Sequence, residues 1–394
     1  MTIYEESLKM HEKNLGKFGM VSTVELNNRK DLSLAYSPGV AEPCKRIAED
    51  ITTLYKYTAK ERMIAVVSDG SSVLGLGNIG APAALPVIEG KAILHKRFAG
   101  IDAIPICLDT QDTDKIIETI KIISPGFGGI HLEDIGAPRC FEIERRLIEE
   151  LDIPVYHDDQ HGTAIVTAAA LINSCRLLKK EFSEIKVVIN GAGASGNAVC
   201  KLLIELGIEE IIMVDKEGIL NKKDMDNYDF AQKELAEITN KGGKMGELEE
   251  ALNEADIFIG CSAANVLTQG MIKKMKSRPV IFALANPLPE IEPKLAVEAG
   301  AWIIGTGRSD YPNQINNILS FPGLFKGTLE SRAKKITTGM KIAAAYSLAD
   351  LISEEELSRE YIVPGAFDER VVTAVARGVR EAAKKDGVSR SKDI

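Results

Sequence analysis

The sequence predicts a two-domain α/β protein: an N-terminal α/β domain over residues 1–160, then a doubly wound domain over residues 161–394 that ends in a helical tail. Three observations predict it. A chain of 394 residues is too long for one ordinary domain and suits two, each able to bury its own core. Short apolar runs closed by acidic or polar residues alternate with helix-length segments, the order that builds a mostly parallel sheet. A G-x-G-x-x-G turn lies between a strand-like run and a helix-like run at Gly191 to Gly196.

In the first domain the apolar runs are MIAVVSD (Met63 to Asp69), DAIPICLD (Asp102 to Asp109), GGIHLED (Gly128 to Asp134) and IPVYHDD (Ile153 to Asp159). Ala81 to Ala99, Asp114 to Ile123 and Ala137 to Leu151 fall between them with helical character. Ligands of such sheets collect beyond the carboxyl ends of the strands, so the acids that close these runs stand where chemistry is expected. Thr163 to Ile172 is uncharged but far short of the roughly 20 residues of a bilayer span, and is expected to be a buried helix. The second domain opens with KVVIN (Lys186 to Asn190) and continues through IIMVD, ADIFIGC, PVIFALANP and AWIIGTG. Helices are expected at Phe230 to Ile238 and Gly246 to Asn253, and again from Glu330 onward. There Ser353 and Glu356 have the spacing of a capping box at a helix start, and the closing segment GVSRSKDI is expected to fray.

Composition narrows the function. Hydrophobic residues at 45% and charged residues at 27% mark a globular chain. A formal charge of -9 argues against nucleic acid, whose affinity comes from clustered Lys and Arg. The six cysteines are scattered with no C-x-x-C pair, as in a cytoplasmic protein with reduced thiols. The N-terminal stretch MTIYEESLKMHEKN is too charged for a secretory leader, and no membrane partner is expected.

The turn Gly191, Ala192, Gly193, Ala194, Ser195, Gly196 follows the KVVIN strand and precedes a helical run, with Asp215 closing the next strand 19 residues after Gly196. That context makes it a Rossmann-type dinucleotide motif. Gly191 permits the tight turn, Gly193 lets the backbone approach a pyrophosphate, and Gly196 lets the helix pack on the strand. The helix N-terminus supplies N–H donors and a positive dipole end to the pyrophosphate. Asp215 is placed to accept the ribose 2′-hydroxyl and repel a 2′-phosphate, which favours NAD, while Lys216, Lys222 and Lys223 leave NADP open.

Glu133 and Asp134 close one run and Asp158 and Asp159 the next. Adjacent strand ends bring such acids within reach of one ion, and an oxygen-only set suits Mg²⁺ or Mn²⁺; ordinary solvated acids are the alternative. His157 and His161 are four apart, like a zinc-binding pair, but Asp158 stands where H-E-x-x-H needs Glu, so hydrogen-bonded histidines are the plainer reading. Lys91 lies in the apolar helical segment PVIEGKAILHK, either reaching to solvent or held where its pKa shifts. Tyr36 lies in AYSPGVAEP, whose prolines and glycine form a bend able to project a phenol.

Together these strings resemble the malic enzymes, in particular their short-subunit microbial branch, over nearly the whole chain: AYSPGVAEPC, VSDGSSVLGLGNIG, PVIEGKAILHK, IHLEDI, VYHDDQHGTA, GAGASG, ALANP and NQINNILSFPG. The resemblance implies oxidative decarboxylation of malate to pyruvate with reduction of NAD(P). It implies Glu133, Asp134 and Asp159 as metal ligands, Lys91 as the base, Tyr36 as the acid, Asp158 as the support of Lys91, and Asn286 and Asn317 as substrate contacts. The base is expected unprotonated, its pKa lowered by the dication. The family also suggests a homodimer, in which a Tyr36 shared between subunits is possible. There is one departure. Longer-subunit members carry an Arg after V-x-D-G that binds a substrate carboxylate, whereas this chain has Ser71 and Ser72, leaving hydroxyls and backbone N–H groups of Gly70 to Val73 as its candidate replacements. Two other readings compete: a malolactic-type enzyme that retains NAD, and a non-catalytic dinucleotide sensor.

Overall fold

A computed structural model describes residues 2–73 and 75–391. The chain opens with α1 (Ile3–Asn14), α2 (Arg29–Ala35), α3 (Ala41–Glu49) and the one-turn α4 (Leu54–Tyr57). Thr2 and Glu5 form a capping box on α1, and Asn28 caps α2 through the N–H groups of Lys30 and Asp31. No residue of these four helices is buried. The arm is pinned at Lys17, whose N–H donates to Glu89 at 2.9 Å and whose Nζ donates to the carbonyl of Pro86. Beyond that pin, residues 18–53 hydrogen-bond only among themselves and to the adjoining α4, judged over the described residues.

The first sheet has the order β2-β1-β3-β4, all parallel, built from β1 (Met63–Ser68), β2 (Asp102–Cys107), β3 (Gly129–Leu132) and β4 (Val155–His157). Helices α5 (Ala81–Leu94), α6 (Thr113–Ile123) and α7 (Arg139–Glu150) connect the strands as the periodicity predicts. Residues His95–Ala99 continue α5 as a π-helical turn, a rare geometry that often marks a functional position. α8 (Asp158–Leu178) follows β4 directly and is buried along most of its 21 residues, because it is apolar on every side.

The second sheet runs β10-β9-β8-β5-β6-β7. Its strands are β5 (Lys186–Asn190), β6 (Glu210–Asp215), the antiparallel edge β7 (Gly218–Ile219), β8 (Ile257–Gly260), β9 (Val280–Ala283) and β10 (Ile303–Thr306). α9 (Ala194–Glu205), α10 (Phe230–Ile238), α11 (Leu248–Leu252), α12 (Gln269–Ile272) and α13 (Pro293–Glu298) link them. α14 (Phe321–Glu330), α15 (Thr338–Ala349) and α16 (Arg370–Lys385) fold back onto α8, joining both sheets in one apolar core. No helix among the described residues is long and apolar enough to cross a membrane.

The tail departs from expectation twice. Ser353 and Glu356 do exchange capping-box hydrogen bonds, yet they close a turn and the next helix starts only at Arg370. Asn313 explains this: its amide donates to the carbonyl of Arg359 and its oxygen accepts the N–H of Ile362, claiming backbone groups a helix needs. The closing segment is also tied down as far as Ser391, with Arg390 bound to Asp152 at 2.7 Å and the N–H groups of Arg390 and Ser391 donating to the carbonyl of Ser331. The rest of that segment, residues 392–394, lies outside the described residues.

Candidate active site

Parallel pairing sets Leu132 beside His157, so the residues that follow, Glu133 and Asp158, leave adjacent strand ends together. Asp134 then turns through a left-handed backbone, φ 55°, a conformation that Asp tolerates better than most residues. Its N–H donates to Oδ2 of Asp159 at 2.8 Å, drawing the two acids together. One oxygen from each of Glu133, Asp134 and Asp159 lies within 4.8 Å of the others. An all-carboxylate set that close fits a hard dication such as Mg²⁺ or Mn²⁺. His157 and His161 join neither metal-sized cluster found among the described residues.

Lys91 comes from α5 and is buried, with Nζ 2.5 Å from Asp158 Oδ2, 3.2 Å from Glu133 Oε1 and 4.6 Å from the centre of the Phe321 ring. Burial alone would depress its pKa, but Asp158, Glu133 and Asp159 more than reverse that and raise it. With no dication beside it, then, the surrounding carboxylates favour the ammonium form of Lys91. Burial in turn pushes Glu133 up to about 7 and Asp158 up to about 6. Three or four acids against one lysine leave a surplus of negative charge that a dication would balance.

Two of the acids, Glu133 and Asp159, have a buried histidine behind them. His131 Nε2 is 2.8 Å from Glu133 Oε2, and its Nδ1 meets Nε2 of His95 at 3.0 Å. Burial drives His131 down to about 3 and His95 well below its usual value, so both rings are neutral. Phe321, Phe325 and Tyr156 enclose the pair, with His131 stacked on Phe325. Likewise His157 Nε2 lies 3.1 Å from Asp159 Oδ2. Burial would push Asp159 up, but His157 holds it below the ordinary carboxylate range. The signal for the first support was present in H-x-E, since residues two apart in an extended chain share a face, whereas His157 and Asp159 meet where β4 gives way to α8.

The glycine turn has the predicted form. Gly191 has φ 112°, and a Cβ there would lie 2.5 Å from the carbonyl of Cys261. At Gly196 a Cβ would fall 1.8 Å from the carbonyl of Gly191, whereas at Gly193 it meets nothing within 4 Å, leaving that side open. Ala192 is buried at the end of β5, Ala194 opens α9, and Ser195 donates its hydroxyl to the carbonyl of Asp159 at 2.8 Å. Asp215 ends β6 and accepts from Gln232 and from the N–H of Lys216. Lys222 pairs instead with Glu237 at 2.9 Å.

Asn317 stands beside the cluster: a Cβ on Gly162 of α8 would lie 2.8 Å from its Cβ and 2.2 Å from Asp158 Oδ1. Asn286, after β9, is exposed and lies against the loop after β1, its carbonyl 2.2 Å from where a Cβ on Gly75 would be. Tyr36 is not brought in; it is 68% exposed on the arm. Nor are the N–H groups of Gly70 to Val73 free to receive a carboxylate, because they already donate to Ser68 Oγ, Asp69 Oδ1, the carbonyl of Asp134 and the carbonyl of Gly77. The cation found there is Arg139, which sequence reasoning missed, 2.9 Å from Asp69 Oδ2 and 3.0 Å from Ser71 Oγ.

Comparison with known proteins agrees along the chain. The family model for the malic enzyme N-terminal domain matches residues 16–148, and that for the malic enzyme NAD binding domain matches residues 160–384. The bifunctional malic/malolactic enzyme of Bacillus subtilis (strain 168) is 55% identical over 390 residues, 99% of this chain and 95% of its own. The NAD-dependent malic enzyme of Geobacillus stearothermophilus is 51% identical over 379 residues, 96% of this chain and 79% of its own. Among solved structures, the NAD-dependent malic enzyme of Thermotoga maritima superimposes with a TM-score of 0.92 at 51% identity, covering 95% of this chain and 98% of that one. The malic enzyme of Pyrococcus horikoshii Ot3 gives 0.94 at 47% identity, covering 99% and 93%. With both family domains matched and relatives similar over nearly its full length, the chain belongs to the malic enzyme family.

Proposed function

We propose that the protein oxidises and decarboxylates (S)-malate to pyruvate and CO₂ with reduction of NAD(P), dependent on Mg²⁺ or Mn²⁺, and that it also decarboxylates oxaloacetate. The observation that carries the proposal is the hydrogen bond from Ser195 Oγ to the carbonyl of Asp159, which sets the nucleotide turn against the acid and lysine cluster. Glu133, Asp134 and Asp159 would hold the metal. When bound, the dication supplies Lewis acidity to the substrate oxygens and the nicotinamide accepts the C2 hydride. Lys91 then takes the C2 hydroxyl proton, with Asp158 fixing its ammonium group in place. To act so it must first release its own proton, and neutralisation of the surrounding carboxylates by a dication removes the charge that holds it. Asn286 and Asn317 orient substrate oxygens as neutral amides. NAD is the preferred cofactor on this reading, since Asp215 faces the ribose end while Lys222 is engaged elsewhere.

Tyr36 donates the proton to C3, and it does so from a second copy of the chain. Supporting this is the arm itself, whose Met20, Val21, Leu34 and Tyr36 are each more than 60% exposed, an apolar surface that a homodimer would cover. A second reading, conversion of malate to lactate on retained NAD, is favoured by one observation, the name of the Bacillus subtilis relative. One experiment separates them: malate, Mn²⁺ and either NAD or NADP are added, and reduced cofactor, pyruvate and lactate are followed together. Equal release of both supports the proposal. Lactate without reduced cofactor supports the second reading, and no product at all overturns both.

A further inference from the structure

A cavity of about 960 Å³ opens between α7, α8, α9, α10 and the first turn of α15, and none of Lys91, Glu133, Asp134, Asp158 or Asp159 lines it. Its wall instead holds Lys341, His161 and Glu144, ionisable groups for which the reaction above has no use. Lys341 sits in the first turn of α15, at the positive end of the helix dipole, where a cation is disfavoured. Its Nζ bonds to His161 Nδ1 at 3.1 Å and forms no ion pair among the described residues. Asn197, in the first turn of α9, lines the same cavity with a buried Nδ2 that has no acceptor. Of the acids at the rim, Glu234 pairs with Lys201, Glu149 with Arg145 and Glu142 with Arg146, while Glu205 stands at the far end of α9 from Asn197. Phe141 and Phe230 meet edge to face at 6.2 Å and supply an apolar wall. A lysine with no carboxylate partner and an amide N–H with no acceptor, beside aromatic carbon, recognise a carboxylate on an apolar body.

From that wall a chain of polar contacts leads to the acid cluster. Lys341 donates to His161 Nδ1, so His161 Nε2 carries the ring proton and donates to Glu144 Oε2 at 2.9 Å. Glu144 Oε1 accepts the N–H of His157 at 2.8 Å, and Gln160 Nε2 lies 3.1 Å from both Glu144 Oε2 and His157 Nδ1. His157 Nε2 ends the route as a close electrostatic contact, 3.1 Å from Asp159 Oδ2 but outside hydrogen-bond geometry.

We propose that this cavity is a second ligand site for a small monocarboxylate with an apolar body, and that its occupancy is felt at Asp159 through Glu144 and His157. The coupling rests on the reading of Asp159 as a metal ligand. An anion beside Lys341 lowers the local positive potential, so it favours dication binding, and the dication must favour the anion by the same factor.

The probe is 4-fluorobenzoate, followed by fluorine NMR on the full chain with malate present to fill the substrate site, beside a Mn²⁺ titration by electron paramagnetic resonance. Saturable binding is expected, weakened at least about tenfold in Lys341→Met, which keeps the side-chain length and removes the charge. Ala198→Phe, which fills the cavity and leaves Lys341 in place, should remove it as well. Saturating probe should lower the Mn²⁺ Kd about threefold in the wild type and leave it unchanged in Lys341→Met. Absence of saturable binding, binding that survives both variants, or a Mn²⁺ Kd indifferent to bound probe overturns the proposal. A wild type that binds no Mn²⁺, or binds it no better than Asp159→Asn, sinks the metal reading instead, and the fluorine measurement then decides the cavity by itself.

Discussion

Replacing Gly162 with alanine measures how closely Asp158 must hold Lys91. Gly162 lies one turn after Asp158 in α8, and the added methyl would stand 2.2 Å from Asp158 Oδ1 and 2.8 Å from Asn317 Cβ. Carbon and oxygen settle no nearer than about 3.3 Å, so the carboxylate must retreat by about 1 Å. Oδ2 cannot keep its 2.5 Å contact with Lys91 through such a movement. A lost charge-assisted hydrogen bond is worth about 1.5–3 kcal/mol. If that energy holds the base in the transition state, kcat on malate falls about 10- to 100-fold. The fold should survive, because overpacking of about 1–3 kcal/mol is offset by about 1 kcal/mol from alanine's better helix propensity. Steady-state appearance of reduced cofactor gives kcat, with thermal unfolding and NAD titration as controls. A folded Gly162→Ala variant with kcat within about twofold of wild type would refute the idea that Asp158 sets the base.

Lys91→Ala should abolish malate oxidation yet leave NAD binding intact, and a variant retaining more than about a tenth of kcat would remove Lys91 from the base role. Tyr36→Phe should slow protonation of the pyruvate enol more than reduction of oxaloacetate; equal losses in the two assays would count against it as the acid. Mixing Tyr36→Phe with Lys91→Ala should restore some activity if the sites are shared between subunits, and no recovery in a mixed dimer argues for separate sites. Glu133 links stability to pH. Its pKa is raised on folding from 4.5 to about 7, so the metal-free protein is stabilised below the unfolded value and loses that contribution as pH rises toward 7. Thermal unfolding should therefore show the wild type losing ground to Glu133→Gln across this window, and parallel curves would refute the assignment.

What was legible in the sequence depended on the range of the interaction. Short apolar runs closed by acids located β3 and β4 and put Glu133, Asp134, Asp158 and Asp159 at neighbouring ends, because strands joined by helices pair in parallel and end on the same side of the sheet. The glycine turn was legible for a similar reason, since only glycine fits beside the carbonyls of Cys261 and of Gly191 itself. His157 was read against His161, four residues on, when its partner was Asp159, two residues on. Knowing that needed the place where β4 ends and α8 begins. The carboxylates that hold a proton on Lys91 in the absence of a metal, Asp158, Glu133 and Asp159, come from two strand ends, and their convergence on α5 is visible only in three dimensions. Arg139 went unnoticed for the same cause: it reaches Asp69 and Ser71 across the gap between two strand ends. Asn313 likewise overrode a correct local signal at Ser353 from more than one helix away.

The link between Ser195 and Asp159 divides the nucleotide crevice into two ends with different tolerances. At one end the turn is fastened to the reacting acids, so any residue that displaces Ser195 also shifts the base and the hydride acceptor relative to each other. At the other, Asp215 and Gln232 touch only one another and their own backbone neighbours. On the proposed function, with Asp215 at the ribose end, selection for a different dinucleotide would work on that far pair alone and leave the Ser195 link untouched.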